Sequence, residues 1–221
     1  MTRPEDRKQH WERVYAEKSP QEVSWYQAVP ELSLALIERH LPDRSARLVD
    51  VGGGASTLVD HLLARGYREL VVLDLAERAL AAARQRLGER AAAVQWVAGD
   101  VTTCALPGPF ALWHDRAVFH FLTEAADRQA YLRQLRAHLP PGGIVVIAAF
   151  SPEGPTMCSG LPIVQYDAER LGATLGPEFA HLESHEESHR TPAGGIQQFG
   201  YHVFQRQSGD RGASAVRGLA S

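Results

Sequence analysis

The sequence predicts a doubly wound α/β fold, and three observations carry the prediction. Short apolar runs alternate with amphipathic stretches between residues 47 and 150. The first run ends in a glycine-rich turn that opens a helix, RLVDVGGGASTLVDHLLARG over residues 47–66. Near the end, two long segments are separated only by TPAGG, which makes them an antiparallel hairpin. Continuously apolar strands separated by helices belong to a parallel sheet covered on both faces. Right-handed crossovers make that sheet doubly wound.

Each element has its own signal. Residues 5–17 read as a helix because Trp11, Val14 and Tyr15 recur at helical spacing among charges. A link containing Pro20 and the pair Trp25-Tyr26 follows. A second helix covers 30–41, opened by Pro30 and ended by Pro42. Strands fall at 47–51, 70–75, 94–98, 110–115 and 143–150, with helices at 56–65, 76–87 and 124–139. A loop rich in Pro and Gly spans 151–162, and a short helix follows at 167–174. The hairpin strands are 179–189 and 196–206, and residues 207–221 lack periodicity and read as a disordered tail.

Composition bounds the function. A chain of 221 residues builds one sizeable core. A net charge of −3 without a basic stripe argues against a nucleic-acid partner. There are 21 Arg and only two Lys, Lys8 and Lys18, which with abundant Ala is the usage of a GC-rich bacterial genome. Cys104 and Cys158 form neither a zinc pattern nor a disulfide framework. The start, MTRPEDRKQH, lacks the apolar core of a secretory signal. No apolar run approaches the roughly 18 residues of a membrane helix. The expectation is a cytoplasmic protein with no membrane partner.

The glycine turn is a platform for a nucleoside ligand. Glycines admit a ligand close to the backbone, and the first helical turn offers free N–H groups. A dinucleotide fingerprint needs a third glycine where Thr57 stands, which disfavours a dehydrogenase. The pattern that fits is D-x-G-x-G-x-S from Asp50 to Ser56, with Gly52 and Gly54 in the turn and Ser56 as a helix cap. The second strand then ends at Asp74, placed to accept from both ribose hydroxyls. The third ends in Gly99-Asp100-Val101, where Asp100 suits an adenine amino group and Leu75 and Val101 suit the ring faces. Taken singly, each Asp also suits a helix cap. The ordered set is what specifies the ligand.

This combination resembles the class I S-adenosylmethionine-dependent methyltransferase family over about residues 45–206. The resemblance implies a Rossmann-like seven-stranded, mostly parallel sheet ending in an antiparallel pair. It divides the chain into an N-terminal helical lid (1–44), a methyltransferase domain (45–206) and the tail. Asp50, Gly52 and Gly54 would form the methionine-side loop, Asp74 would hold the ribose, and Asp100 and Val101 the adenine. The segment DRAVFHFLTEAADR is similar to the D-R-G-x-L stretch of the thiopurine methyltransferase branch. It is equally like the D-K-G-T-L stretch of lysine methyltransferases acting on elongation factors and citrate synthase. Trp11-x-x-x-Tyr15 and Trp25-Tyr26 are similar to the aromatic lid elements of those branches. The implied cofactor is S-adenosyl-L-methionine, leaving as S-adenosyl-L-homocysteine, with no metal.

Methyl transfer is an in-line displacement that needs alignment and exclusion of water. Trp25, Tyr26 and Asp115 are the expected surroundings of the sulfonium, against simple packing for the aromatic pair. Arg116 suits a cofactor or acceptor carboxylate, or equally a structural ion pair. His114 and His120 are candidate bases, or buried structural histidines. On the expected strand His181, His185 and His189 share a face but spread too far for one metal, and His189 is placed to reach the acceptor pocket. Cys158 is either a redox or metalloid group or a small loop residue. The leading expectation is transfer to a small molecule with a thiol or another readily deprotonated nucleophile. The alternatives are a protein lysine methyltransferase with an acidic channel near Asp115, and a non-catalytic nucleoside-binding protein.

Overall fold

The computed structural model describes residues 4–208. Two helices, α1 (Pro4–Glu17) and α2 (Glu31–His40), precede the sheet. Then come β1 (Leu48–Val51), α3 (Leu58–Ala64), β2 (Leu70–Asp74), α4 (Glu77–Leu87), β3 (Val94–Ala98), β4 (Leu112–Arg116), α5 (Ala125–His138) and β5 (Ile144–Phe150). A two-strand ribbon, β6 (Met157–Cys158) and β7 (Leu161–Pro162), leads to α6 (Ala168–Leu175) and the hairpin β8 (Phe179–Arg190) and β9 (Ile196–Arg206). The seven-stranded sheet has the order β3-β2-β1-β4-β5-β9-β8. Its first five strands are parallel and β9 is antiparallel to both neighbours.

The order reverses between β1 and β4, the switch point where doubly wound sheets bind ligands. The central strands β1, β2 and β5 are buried along their whole length, as their continuous apolar sequences require. Alternate residues feed two cores on opposite faces of the sheet. Leu48, Val72, Leu112 and Val146 join one, with α2 and α3. Val49, Val71, Trp113 and Val145 join the other, with α5 and α6. α4 packs through Ala79, Leu80, Ala83 and Leu87, and Gly88 ends it at φ 59°. Asp167 caps α6 by accepting the Arg170 N–H at 2.7 Å.

The sequence expectations differ from the structure in detail. The 151–162 loop carries the small ribbon, whose strands of two residues are too short to leave a period. β8 contains a register shift between His181 and Glu183. From residue 209 the expected tail lies outside the described residues.

Candidate functional site

The C-terminal strand ends and α1 enclose a cleft with about 820 Å³ of empty space, counting its open mouth. The sheet side supplies Val51, Gly52, Asp74, Leu75, Asp100 and Val101. The N-terminal segment supplies Arg7, Trp11, Tyr15 and Trp25. Gly52 has φ 71°, and a Cβ there would lie 2.1 Å from Val118 Cγ2. Gly54 does not line the cleft; a Cβ on it would strike Asp74 Oδ2 at 2.3 Å. Ser56, expected as the cap of α3, lies one residue before the cap position, which Thr57 occupies without a side-chain capping bond; the Ser56 Oγ accepts the Leu58 N–H at 3.1 Å. Thr57 turns away from the sheet and donates to the Gln27 carbonyl at 2.9 Å.

Asp74 lies at the end of β2 and lines the cleft. Its Oδ1 accepts the Ala76 N–H at 2.8 Å. Burial pushes its carboxyl up to about 7, and the nearby Asp50 and Glu12 charges add to the shift. Asp100 is more committed than expected. Its Oδ1 accepts from the Thr102 N–H and hydroxyl at 2.9 and 2.6 Å, and Oδ2 accepts from Arg7 at 2.8 Å. An adenine amino group there has to share Oδ2 with Arg7.

Arg7 was not among the sequence candidates. Its other arm reaches Asp127 at 2.6 Å, so it ties α1 to the ends of β3 and α5. Arg7, Trp11 and Tyr15 recur every four residues and share one helix face, and that spacing was the available signal. Trp11 meets Trp25 and Phe121 edge-on, with centroids 5.7 and 5.1 Å apart.

Strand alternation divides the β4 candidates. His114 and Arg116 face α2 and the hairpin, whereas Asp115 faces α5. Asp115 is fully buried and outside the cleft lining, which corrects its expected place beside the sulfonium. Oδ1 accepts the Val118 and Phe119 N–H groups at 3.0 and 3.2 Å, and Oδ2 accepts the Tyr131 hydroxyl at 2.7 Å. Burial lifts its carboxyl to about 6 against those bonds. It shapes the turn that carries Ala117, whose φ is 68°, at the glycine place of the D-R-G pattern. Among the described residues no acidic channel opens at Asp115, which is fully buried and in no cavity lining.

His120 is also displaced from the expected base position. It is fully buried between Phe121 and Phe150, with ring centroids 4.5 and 5.0 Å away, and lines neither cavity described here. Burial, helped by the Arg116 charge, drives its imidazole down to about 3. Among the described residues neither ring nitrogen has a hydrogen-bond partner. His114 is engaged with Asp50 and Ser33.

Arg116 is a strut. It donates to the Tyr201 hydroxyl at 2.8 Å and the Trp25 carbonyl at 3.0 Å, pairs with Glu187 at 3.4 Å, and stacks 4.4 Å over the Phe199 ring. The Trp25 bond belongs to a set. His189 takes the Ser24 carbonyl at 2.8 Å, Thr57 that of Gln27, and His61 that of Ala28 at 3.1 Å. Four side chains from separate parts of the sequence thus hold a segment without regular structure. His189 therefore supports the segment from behind and does not line the cleft. Trp25 lines the cleft, and Tyr26 lines a second cavity beside it together with Asp50 and Ser56.

The three hairpin histidines go separate ways, with His181 on Ser184 and His185 on Glu183. Among the described residues no group of His, Cys, Asp and Glu is arranged to hold a metal ion. Cys158 lines the cleft, and burial raises its thiol pKa, so it stands there as a neutral group.

Residues 48–143 match the methyltransferase domain family. Over those residues the chain carries a methyltransferase domain. No curated protein matches it by sequence. Among solved structures, a SAM-dependent methyltransferase from Anabaena variabilis superposes with a TM-score of 0.71 at 17% identity, covering 92% of this chain and 95% of its own. The 1,6-didemethyltoxoflavin-N1-methyltransferase of Burkholderia thailandensis, holding its substrate and S-adenosylhomocysteine, gives 0.68 at 20% identity, covering 94% and 92%. The N-methyltransferase NodS of Bradyrhizobium japonicum, with S-adenosylhomocysteine, gives 0.68 at 18%, covering 90% and 98%. At such identities these structures establish the shared fold. The cofactor fits the residues of this methyltransferase domain on their own geometry: a turn with no room for Cβ atoms, a carboxylate facing the cleft at Asp74, and apolar walls at Leu75 and Val101.

No helix among the described residues is long and apolar enough to cross a membrane.

Proposed function

We propose that this protein transfers a methyl group from S-adenosylmethionine to a small-molecule nucleophile that is a thiol or otherwise readily deprotonated. The observation that carries the reading is the acceptor end of the cleft. Trp11, Trp25 and Phe121 pack edge-on around it, with Cys158 in the wall. Both cleft arginines are already paired, Arg7 with Asp100 and Asp127 and Arg116 with Glu187. Two histidines adjoin this end by sequence, and neither lines the cleft: burial drives the His120 imidazole down to about 3, and burial also lowers that of His10, which meets Trp11 edge-on at 5.1 Å. An acceptor that needs a strong base to lose its proton is poorly served here, whereas a thiol ionises with little help.

The cofactor supplies an electrophilic methyl group on a sulfonium. The chain supplies everything else. Asp74 is placed to accept from ribose hydroxyls, and the turn at Gly52 lets the ligand approach the backbone. The aromatic cap excludes water and presents π faces to a cation. The strut at Arg116 fixes Trp25, and with it the line of approach.

The test is transfer of labelled methyl from S-adenosylmethionine into a cell extract that is afterwards divided by size. Label in the small-molecule fraction, reduced by prior thiol alkylation of the extract, is the expected result. Label confined to a protein band would overturn the small-molecule reading.

A further inference from the structure

Asp50, expected in the methionine-side loop, is joined by His114 and Ser33, two residues with no role above, in a buried polar chain. β1 and β4 run parallel with Asp50 beside His114, and α2 lays Ser33 over the same face. His114 Nδ1 lies 2.7 Å from Asp50 Oδ1, and Nε2 lies 3.0 Å from Ser33 Oγ. The three residues are 4%, 2% and 0% exposed in the order Asp50, His114, Ser33. A carboxylate only accepts, so in the neutral ring the proton sits on Nδ1 and Nε2 accepts the Ser33 hydroxyl. Asp50 thereby sets the tautomer, Ser33 steadies the ring from its other side, and the ring in turn fixes one carboxylate oxygen. The arrangement has the order of a hydrolytic Ser-His-Asp triad, yet Ser33 is 0% exposed, with its hydroxyl bonded to His114 at the inner wall of the second cavity.

The chain ends at a cavity. About 530 Å³ of empty space, counting its mouth, is lined by Asp50, Gly52, Gly53, Ser56, Tyr26 and Trp25, among others. It shares Gly52, Val51, Trp25 and Arg116 with the main cleft. The only cationic side chain in this lining with a permanent charge, Arg116, is paired with Glu187. Asp50 therefore leaves the cavity with an excess of negative charge. Gly53 is what gives its second oxygen room, because a Cβ there would come within 2.3 Å of Oδ2.

We propose that Ser33 and His114 are positioning residues that aim the Asp50 carboxylate at a primary ammonium, that of the amino-acid end of the cofactor. The inference rests on the cofactor assignment above. Holding one oxygen in a buried bond to His114 leaves the other in a single place, and a charge-assisted bond rewards a fixed geometry.

Calorimetric binding of two probes to the full chain tests it: S-adenosylhomocysteine, and its deaminated analogue lacking only the ammonium. The wild-type protein is expected to prefer the amine-bearing ligand by about tenfold or more. His114→Leu is expected to lose that preference by weakening S-adenosylhomocysteine alone. His114→Asn, whose side-chain N–H can stand in for Nδ1–H, is expected to recover most of it. Ser33→Ala, a smaller change that leaves Asp50 its donor, keeps the measurement available if His114→Leu does not fold; it should cost about threefold in the preference. Equal weakening of both probes by His114→Leu would reduce the chain to core packing and overturn the proposal. So would a wild-type protein that binds both probes alike. A wild-type protein that binds neither would instead overturn the cofactor assignment.

Discussion

The sheet wall of the cleft is made from main chain that is close in sequence: Asp50 to Ser56 at one strand end, Asp74-Leu75 at the next, Asp100-Val101 at the third. The cap wall is made from residues 7–28, held in place by side chains that arrive from positions 57, 61, 100, 116, 127 and 189. The first wall is stiff because strands and a glycine turn leave it no alternative. The second is stiff only because remote partners meet its backbone and its one buried arginine. Damage to the sheet wall should therefore be local and severe, and damage to the cap wall should be distributed and graded.

The largest effect is expected from Gly52→Val. A side chain would need both a left-handed backbone and space already filled by Val118, so cofactor affinity should fall by about 100-fold or more in a binding titration. Next comes Arg116→Met on the cap side. It leaves Glu187 short of a cation and removes the donor to Trp25, and about 2–4 kcal/mol should be lost in denaturant unfolding. If the two variants exchange these outcomes, the contrast between the walls is wrong.

Asp74 sharpens the comparison through pH. Its carboxyl is raised from 3.8 to about 7, so between those values the folded chain holds a proton that the unfolded chain has released. That contribution to stability falls as pH rises from about 4 to about 7. Binding runs the other way, because the ionised form accepts the ribose hydroxyls. Cofactor affinity should drop as pH falls through about 7, and Asp74→Asn should bind about tenfold more weakly with a flat profile. Arg7→Met should cost about threefold to tenfold in cofactor affinity by freeing α1 while uncovering Asp100. The smallest change is expected for His61→Ala. It removes one half-exposed bond of four, and should shift the thermal midpoint by no more than a degree or two.

The same contrast explains what the sequence revealed. The strand–turn–helix order and the spacing Asp50, Asp74, Asp100 were legible because each element is local and its periodicity is set by its own backbone. The expected helices and strands all have counterparts among the described residues. The role of β4 was not legible in full. His114, Asp115 and Arg116 were grouped by proximity in sequence, and the period of two in a strand sends Asp115 to the opposite face. Arg7 was hidden because its partners lie 93 and 120 residues away. Ser33 was hidden because its neighbours on α2 are apolar, and only the β1–β4 register brings His114 beneath it.

Beside the Gln27 amide, which donates to Glu187 at 2.9 Å, the clamps on residues 24–28 touch carbonyl oxygens and not side chains. Such a grip is blind to residue type. Replacements at Trp25 or Tyr26 would be carried on the same frame, at the same distance from the turn that holds the cofactor. A new acceptor preference therefore requires no new scaffold, only a different face mounted on it, and this stretch is where divergence among related chains should concentrate without loss of stability.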